Sequence, residues 1–196
     1  MKIGLVRHGE TDWNLNGKIQ GHTDIPLNES GLKQANRLAE RLYKEDRIWD
    51  CIITSDLQRA YITGKIIADK LNIPIIGTDE RLRELFLGDV EGTTKEERDL
   101  RWGTNFDYIL NSSIVGGESN EQLYKRGNEL LNELKAKYPD KNILIVTHGG
   151  FIARMLGHLF TDIEDKRIGN VSYNILEDAS GSWKLCLHNC MKHLDE

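Results

Sequence analysis

A short apolar run over residues 3–6 ends in Arg7, His8 and Gly9. A stronger run over 142–147 ends in His148, Gly149 and Gly150, and a third, over 51–54, leads to Arg59 about one helical turn further on. Short apolar runs that stop abruptly are how buried strands look, and in an open α/β sheet the carboxyl ends of the strands share one crevice. Two guanidiniums and two imidazoles gathered there suit a phosphoryl dianion, because arginine's fixed fork of donors matches phosphate oxygens. Gly9 would let the chain turn and bring backbone N–H groups toward whatever His8 faces. Helices expected to begin near Asp56 and Gly149 would add N-terminal dipoles of the favourable sign.

Such a pocket needs a nucleophile and a proton donor to be an enzyme. No Gly-x-Ser-x-Gly elbow, no Walker A motif and no cysteine in a cation-rich loop is present. His8 is then the candidate nucleophile, since a neutral imidazole nitrogen can attack phosphorus and hold the group covalently. Its other ring nitrogen must donate a hydrogen bond, to a backbone carbonyl, so that the attacking one carries the lone pair. Arg7, Arg59 and His148 would bind the non-bridging oxygens, and Glu84 would protonate the leaving alkoxide and then activate water. Glu10, Asp89 and Glu91 are other carboxylates in similar segments.

The elements that must position these groups read as alternating strands and helices. Residues 12–29 lack periodicity and form a long loop. Ser30 is placed to cap a helix with Leu32, Ala35, Leu38, Ala39 and Leu42 inward, and Ser55-Asp56 to cap one with Leu57, Ala60, Gly64, Ile67 and Leu71 inward. Residues 73–76 suggest an edge strand with Pro74 at its entry. A short helix is expected over 93–103, an aromatic loop over 104–117, and a long helix from a Ser119 cap to Pro139. Segments 172–176 and 182–187 read as a terminal hairpin. The pattern predicts an α/β fold, a sandwich with a mostly parallel central sheet.

Leu5-Val6-Arg7-His8-Gly9-Glu10-Thr11, then Asn14, Gln20-Gly21, Asp24, Pro26-Leu27 and Gly31, resemble the signature of the histidine phosphatase superfamily, in its phosphoglycerate mutase-like branch. Ser55-Asp56, Arg59-Ala60, the segment around Glu84, Gly117-Glu118-Ser119 and Val146-Thr147-His148-Gly149-Gly150 continue the match in order. The resemblance implies a three-layer α/β/α sandwich, a phosphohistidine on His8, Glu84 as proton donor, and Arg7, Arg59 and His148 around the phosphate. It also implies that Asn14, Gln20 and Gly21 line the substrate side, with Gly149 among the phosphate-binding positions. Residues 1–196 then form a single domain with lid segments at about 12–25 and 85–117.

Composition sets the bounds. A net charge of −5 over 196 residues argues against a nucleic-acid partner. No apolar run approaches the roughly 20 residues needed to cross a bilayer, and the first residues are charged too early for a signal peptide. Three cysteines fit a reducing compartment, so a cytoplasmic location is expected. Cys186, His188 and Cys190 fall on one face of an extended segment, yet their spacing is unlike the usual zinc patterns, and no metal is expected. His22 is expected to be exposed, and Trp102, Phe106 and Tyr108 to pack as a cap over the pocket.

Two reactions suit one phosphohistidine: transfer to water gives a phosphatase, and return to another hydroxyl gives a mutase. Between residues 93 and 116 only Lys95, Arg98 and Arg101 are basic, few for a site closing on a bisphosphate. The expected function is therefore a cofactor-independent phosphatase acting on small phosphomonoesters. A phosphoglycerate mutase-type transferase is the alternative, and an inactive phosphate-binding module a third. Oligomeric state, monomer or homodimer, is open.

Overall fold

A computed structural model describes residues 1–45, 48–104, 115–160, 163, 167–179 and 181–195. Its strands are β1 (Lys2–Arg7), β2 (Cys51–Thr54), β3 (Ile75–Thr78), β4 (Ile143–Thr147), β5 (Tyr173–Ala179) and β6 (Ser182–Cys190). They form one sheet in the order β3-β2-β4-β1-β5-β6. The first four run parallel, and β5 and β6 join antiparallel.

The helices are α1 (Asp12–Leu15), α2 (Glu29–Lys44), α3 (Gln58–Leu71), α4 (Lys95–Trp102), α5 (Asn120–Lys137) and α6 (Gly149–Leu159). Alternate side chains of the central strands face opposite layers. Ile143 and Ile145 of β4 pack with Leu123, Leu130, Phe151 and Met155 of α5 and α6. Leu144 and Val146 pack with Leu38, Leu42, Ala60 and Ile67 of α2 and α3. A parallel strand covered on both faces reads as a near-continuous apolar run, as β4 does from Ile143 to Val146. The sandwich and its mostly parallel sheet are as expected.

Several local expectations change. The loop after β1 contains α1, closed by a capping box between Thr11 and Asn14. Helix α2 is capped by Asn28, whose side chain accepts from Gly31 N–H, and Ser30 lies inside the helix. With that phase Leu32 is 40% exposed while Ala35, Leu38, Ala39 and Leu42 are buried. Helix α3 begins at Gln58 after Leu57, with no side-chain cap from Ser55 or Asp56. Ser119 caps α5 as expected, in a capping box with Gln122. Cys186 is exposed, with Sγ 3.5 Å from Glu177 Oε2, and Cys190 is buried, its Sγ accepting from Arg41 Nη1 at 3.1 Å. The β5–β6 register shifts twice, between Tyr173 and Ile175 and between Ile175 and Leu176, which interrupts the alternation of β6.

Trp102 is partly buried against the core under α5 and α6, whereas Phe106 and Tyr108 lie outside the described residues. Among the described residues no helix is long and apolar enough to cross a membrane.

Candidate active site

The sheet register brings the predicted groups together. β1 and β2 flank β4, with Arg7 opposite Thr147 and Thr54 opposite Val146. The pairing runs on past the strand ends, through His8 N–H to Thr147 O at 3.0 Å and Ser55 N–H to Val146 O at 2.9 Å. The His8 and His148 rings consequently meet at 5.2 Å between centroids.

His8 is buried, and its Nδ1 lies 2.6 Å from the carbonyl of Gly9. A carbonyl only accepts, so Nδ1 carries the proton and Nε2 the lone pair. Burial, and next the charges of Arg59 and Arg7, hold the imidazole well below the usual histidine pKa. His148 is pushed down in the same way, by burial first and then by Arg59, His8 and Arg7. Its Nε2 lies 2.9 Å from Ser55 Oγ, and its Nδ1 is buried without a hydrogen-bond partner.

Arg59 is fully buried, one turn into α3. Its Nη1 and Nη2 donate to the carbonyls of Thr23 and Gly21, each at 2.8 Å, and burial lowers its pKa to about 10. Arg7 donates through Nη1 to Ile168 O at 2.7 Å, and its pKa too is lowered by burial. The Nε atoms of both arginines are buried without partners.

Glu84 lies across the cleft. Its Oε2 accepts from Gly150 N–H at 2.8 Å and its Oε1 from Leu85 N–H at 2.9 Å. A side chain on Gly150 would place Cβ 2.4 Å from Glu84 Oε1, so glycine is required there. His22 is partly buried instead of exposed: its Nε2 lies 2.8 Å from Glu84 O, its ring packs on Phe86, and Arg126 Nη2 donates to the same carbonyl.

The other carboxylates weighed from sequence are elsewhere. Glu91 accepts from the backbone N–H groups of His22, Thr23 and Leu87 and from the Thr23 hydroxyl. It braces the turn at Gly21, which has φ +51° and whose Cβ would fall 2.0 Å from Glu91 Oε1. Glu10 accepts from Asn28 Nδ2, and Asp89 is exposed.

A cavity of about 260 Å³ is lined by Arg7, His8, Asn14, Gln20, Gly21, Arg59 and Glu84, and also by Lys18, Ile19, Leu85, Leu87, Gly150 and Arg154. Asn14 Oδ1 is engaged by Thr11 and Asn170, and Gln20 Oε1 by the Thr11 hydroxyl, which leaves their amide N–H groups available. His148 and Gly149 do not line this cavity. Gly149 lies against Arg7 and lines a neighbouring cavity of about 640 Å³.

At the two helix starts a carboxylate takes one backbone donor each. The start of α3 is taken by Asp24, which accepts from Gln58 N–H at 2.8 Å, and that of α6 by Glu84. Gly9 donates its N–H to Thr63 Oγ1 and packs on Gly31, so it does not face the cleft. Lys18 and Arg154 line the cleft without being singled out by sequence, and Ser55, expected as a helix cap, holds His148 instead. Lys18, four residues past Asn14 in the cleft-lining loop, offered the one local signal.

A family model described as the histidine phosphatase superfamily (branch 1) matches residues 3–191. The chain belongs to this family. It is 38% identical to the uncharacterized phosphatase PhoE of Bacillus subtilis, over 98% of this chain and 96% of that protein. It is also 38% identical to phosphoglycerate mutase-like protein 4 of Arabidopsis thaliana, over 100% and 87% of the two chains. The structure of Bacillus stearothermophilus YhfR superposes with a TM-score of 0.89 at 30% identity, covering 98% of each chain.

Proposed function

We propose that this protein is a cofactor-independent phosphomonoester hydrolase that works through a phosphohistidine on His8. The observation that carries the reading is the state of His8. Its Nδ1 is tied to Gly9 O and protonation is suppressed by burial beside Arg7 and Arg59, in a cavity shared with a carboxylate. A neutral imidazole with a fixed tautomer is a phosphorus nucleophile ready at neutral pH.

In the proposed reaction His8 Nε2 forms a bond to phosphorus as the ester P–O bond breaks. The Glu84 carboxyl gives its proton to the departing alkoxide. The resulting carboxylate takes a proton from water, whose oxygen attacks phosphorus, and the P–N bond breaks to release phosphate and restore His8. Arg7 and Arg59 bind the non-bridging oxygens, and the unpartnered Nδ1 of His148 supplies a further contact at the same end. Asn14 and Gln20 offer amide donors to the substrate, Gly21 keeps the turn open, and Gly149 seats Arg7. Residues 1–196 work as a single domain in the cytoplasm on small phosphorylated metabolites, with lid segments at 12–25 and 85–117, of which residues 105–114 lie outside the described residues.

The test is hydrolysis of an aryl phosphate with an acid quench. Wild type should trap acid-labile phosphate on His8, and His8→Ala should lose at least roughly a thousandfold in rate. Full activity in His8→Ala would sink the mechanism. The mutase alternative is favoured by one observation, the extra cations Lys18 and Arg154 at the cavity. Mutase activity on 3-phosphoglycerate stimulated by bisphosphoglycerate would select it, and absence of turnover on any ester with retained phosphate binding would select the inactive module.

A further inference from the structure

Lys18 and Arg154 reach the cleft from different parts of the fold, the loop after α1 and the middle of α6. Both are partly buried, and neither has a carboxylate within ion-pair distance among the described residues. Arg154 is held by neutral groups alone: its Nε donates to Asn120 Oδ1 at 2.6 Å and its Nη1 to Gly150 O at 3.0 Å. These bonds fix the guanidinium while leaving Nη2 and its charge unanswered. Among the described residues Lys18 Nζ has the ring of Trp13, 6.0 Å from its centroid, and no hydrogen-bond acceptor. Glu84, the one carboxylate lining the cavity among the described residues, is held by the Gly150 and Leu85 N–H groups and makes no ion pair with either cation, so a second anion on the ligand would answer their charge.

The phosphate end already holds Arg7, Arg59 and His8. A single phosphoryl group has no need of two further cations, and Ile19, Leu85 and Leu87 supply an apolar wall in the same cavity. At about 260 Å³ the space lies just below the usual range for drug-sized ligands and suits a small metabolite.

We propose that Arg154 and Lys18 form a second-anion subsite, so that the substrates are small aliphatic phosphomonoesters bearing another negative group, a carboxylate or a second phosphate. This rests on the phosphatase reading and adds the substrate class to it. A bland alternative is that Arg154 acts on Glu84 across Gly150, since both lie against that glycine.

The experiment compares 3-(phosphooxy)propanoate with its isosteric amide, and adds propanediol bisphosphate, at constant ionic strength. Wild type should favour the acid over the amide by roughly tenfold or more in kcat/KM, mainly through KM, as for one charge-assisted hydrogen bond. Arg154→Gln and Lys18→Gln should each cut that ratio several-fold, the double variant should bring it near one, and Arg154→Lys should keep part of it. A ratio untouched by both single variants, or an equal fall for acid and amide in Arg154→Gln, would overturn the subsite. A bisphosphate favoured above the acid supports it with phosphate as the second group. Calorimetric binding of the acid and amide to His8→Ala reads the subsite without turnover. Equal affinities there overturn the subsite, whereas tighter binding of the acid with no wild-type hydrolysis overturns only the phosphatase reading.

Discussion

At the scale of single residues, Glu84 is the test of proton transfer. Its two oxygens are oriented by Gly150 and Leu85 N–H groups, and Glu84→Gln keeps the shape while removing the transferable proton. General acid catalysis matters most for a poor leaving group, so an alkyl phosphate should slow by about a hundredfold or more. An activated nitrophenyl ester should slow far less. Equal slowing of both, measured as kcat/KM, would remove Glu84 from the acid role. The cations differ in kind from this group: Arg7 and Arg59 are anchored by carbonyls, so their charge is placed before any substrate arrives. Preorganised charge in a water-poor site costs little reorganisation during the reaction.

At the scale of elements, the cleft depends on how the loop after β1 is tied down. Four donors converge on Glu91, and Arg59 grips the same loop from below through Gly21 and Thr23. Glu91→Ala should therefore destabilise by about 2–3 kcal/mol, the range for hydrogen bonds to a charged group. It should also raise KM, because Gln20 and Gly21 would lose their support. A urea titration with steady-state kinetics checks both; an unchanged KM at reduced stability would separate the brace from the cleft. The start of α2 gives a smaller contrast. Asn28→Ala should cost about 1 kcal/mol as the loss of an N-cap, and Ser30→Ala less than about 0.5 kcal/mol. Equal effects in chemical denaturation would restore Ser30 as the cap.

At the scale of the whole molecule, a chain of net charge −5 concentrates positive charge in one cleft, so attraction of an anion is local and not a property of the overall field. The same burial makes the fold acid-sensitive. The folded pKa values of His8 and His148 lie well below 6.5, so the unfolded chain binds their protons first as pH falls. Their contribution to stability is complete above pH 6.5 and is lost as pH drops below it. Between pH 7.5 and 5.5 each costs on the order of 1 kcal/mol, roughly 2–3 kcal/mol together. Urea midpoints at the two values should fall accordingly, and the fall should shrink in His148→Asn. An NMR titration showing His8 ionising near 6.5 would contradict the neutral nucleophile.

What the sequence by itself determined is local. Apolar runs marked β1, β2 and β4; Arg7, His8 and Arg59 follow the first two and line the cleft, His148 follows the third and its ring meets His8, and Glu84 was legible from its own segment. Strand ends and burial periodicity depend on neighbours in the chain, which is why they can be read there. The tertiary structure alone decided how these groups are partnered. Asp24 occupies the start of α3 and Glu84 that of α6, although in each case acceptor and donor are far apart in sequence. Lys18 and Arg154 became cleft residues only through the approach of separate elements, and an isolated surface-type cation carries no mark of that. Pairing of distant polar groups is a property of the packed fold, because burial decides which donors must be satisfied and by which acceptor.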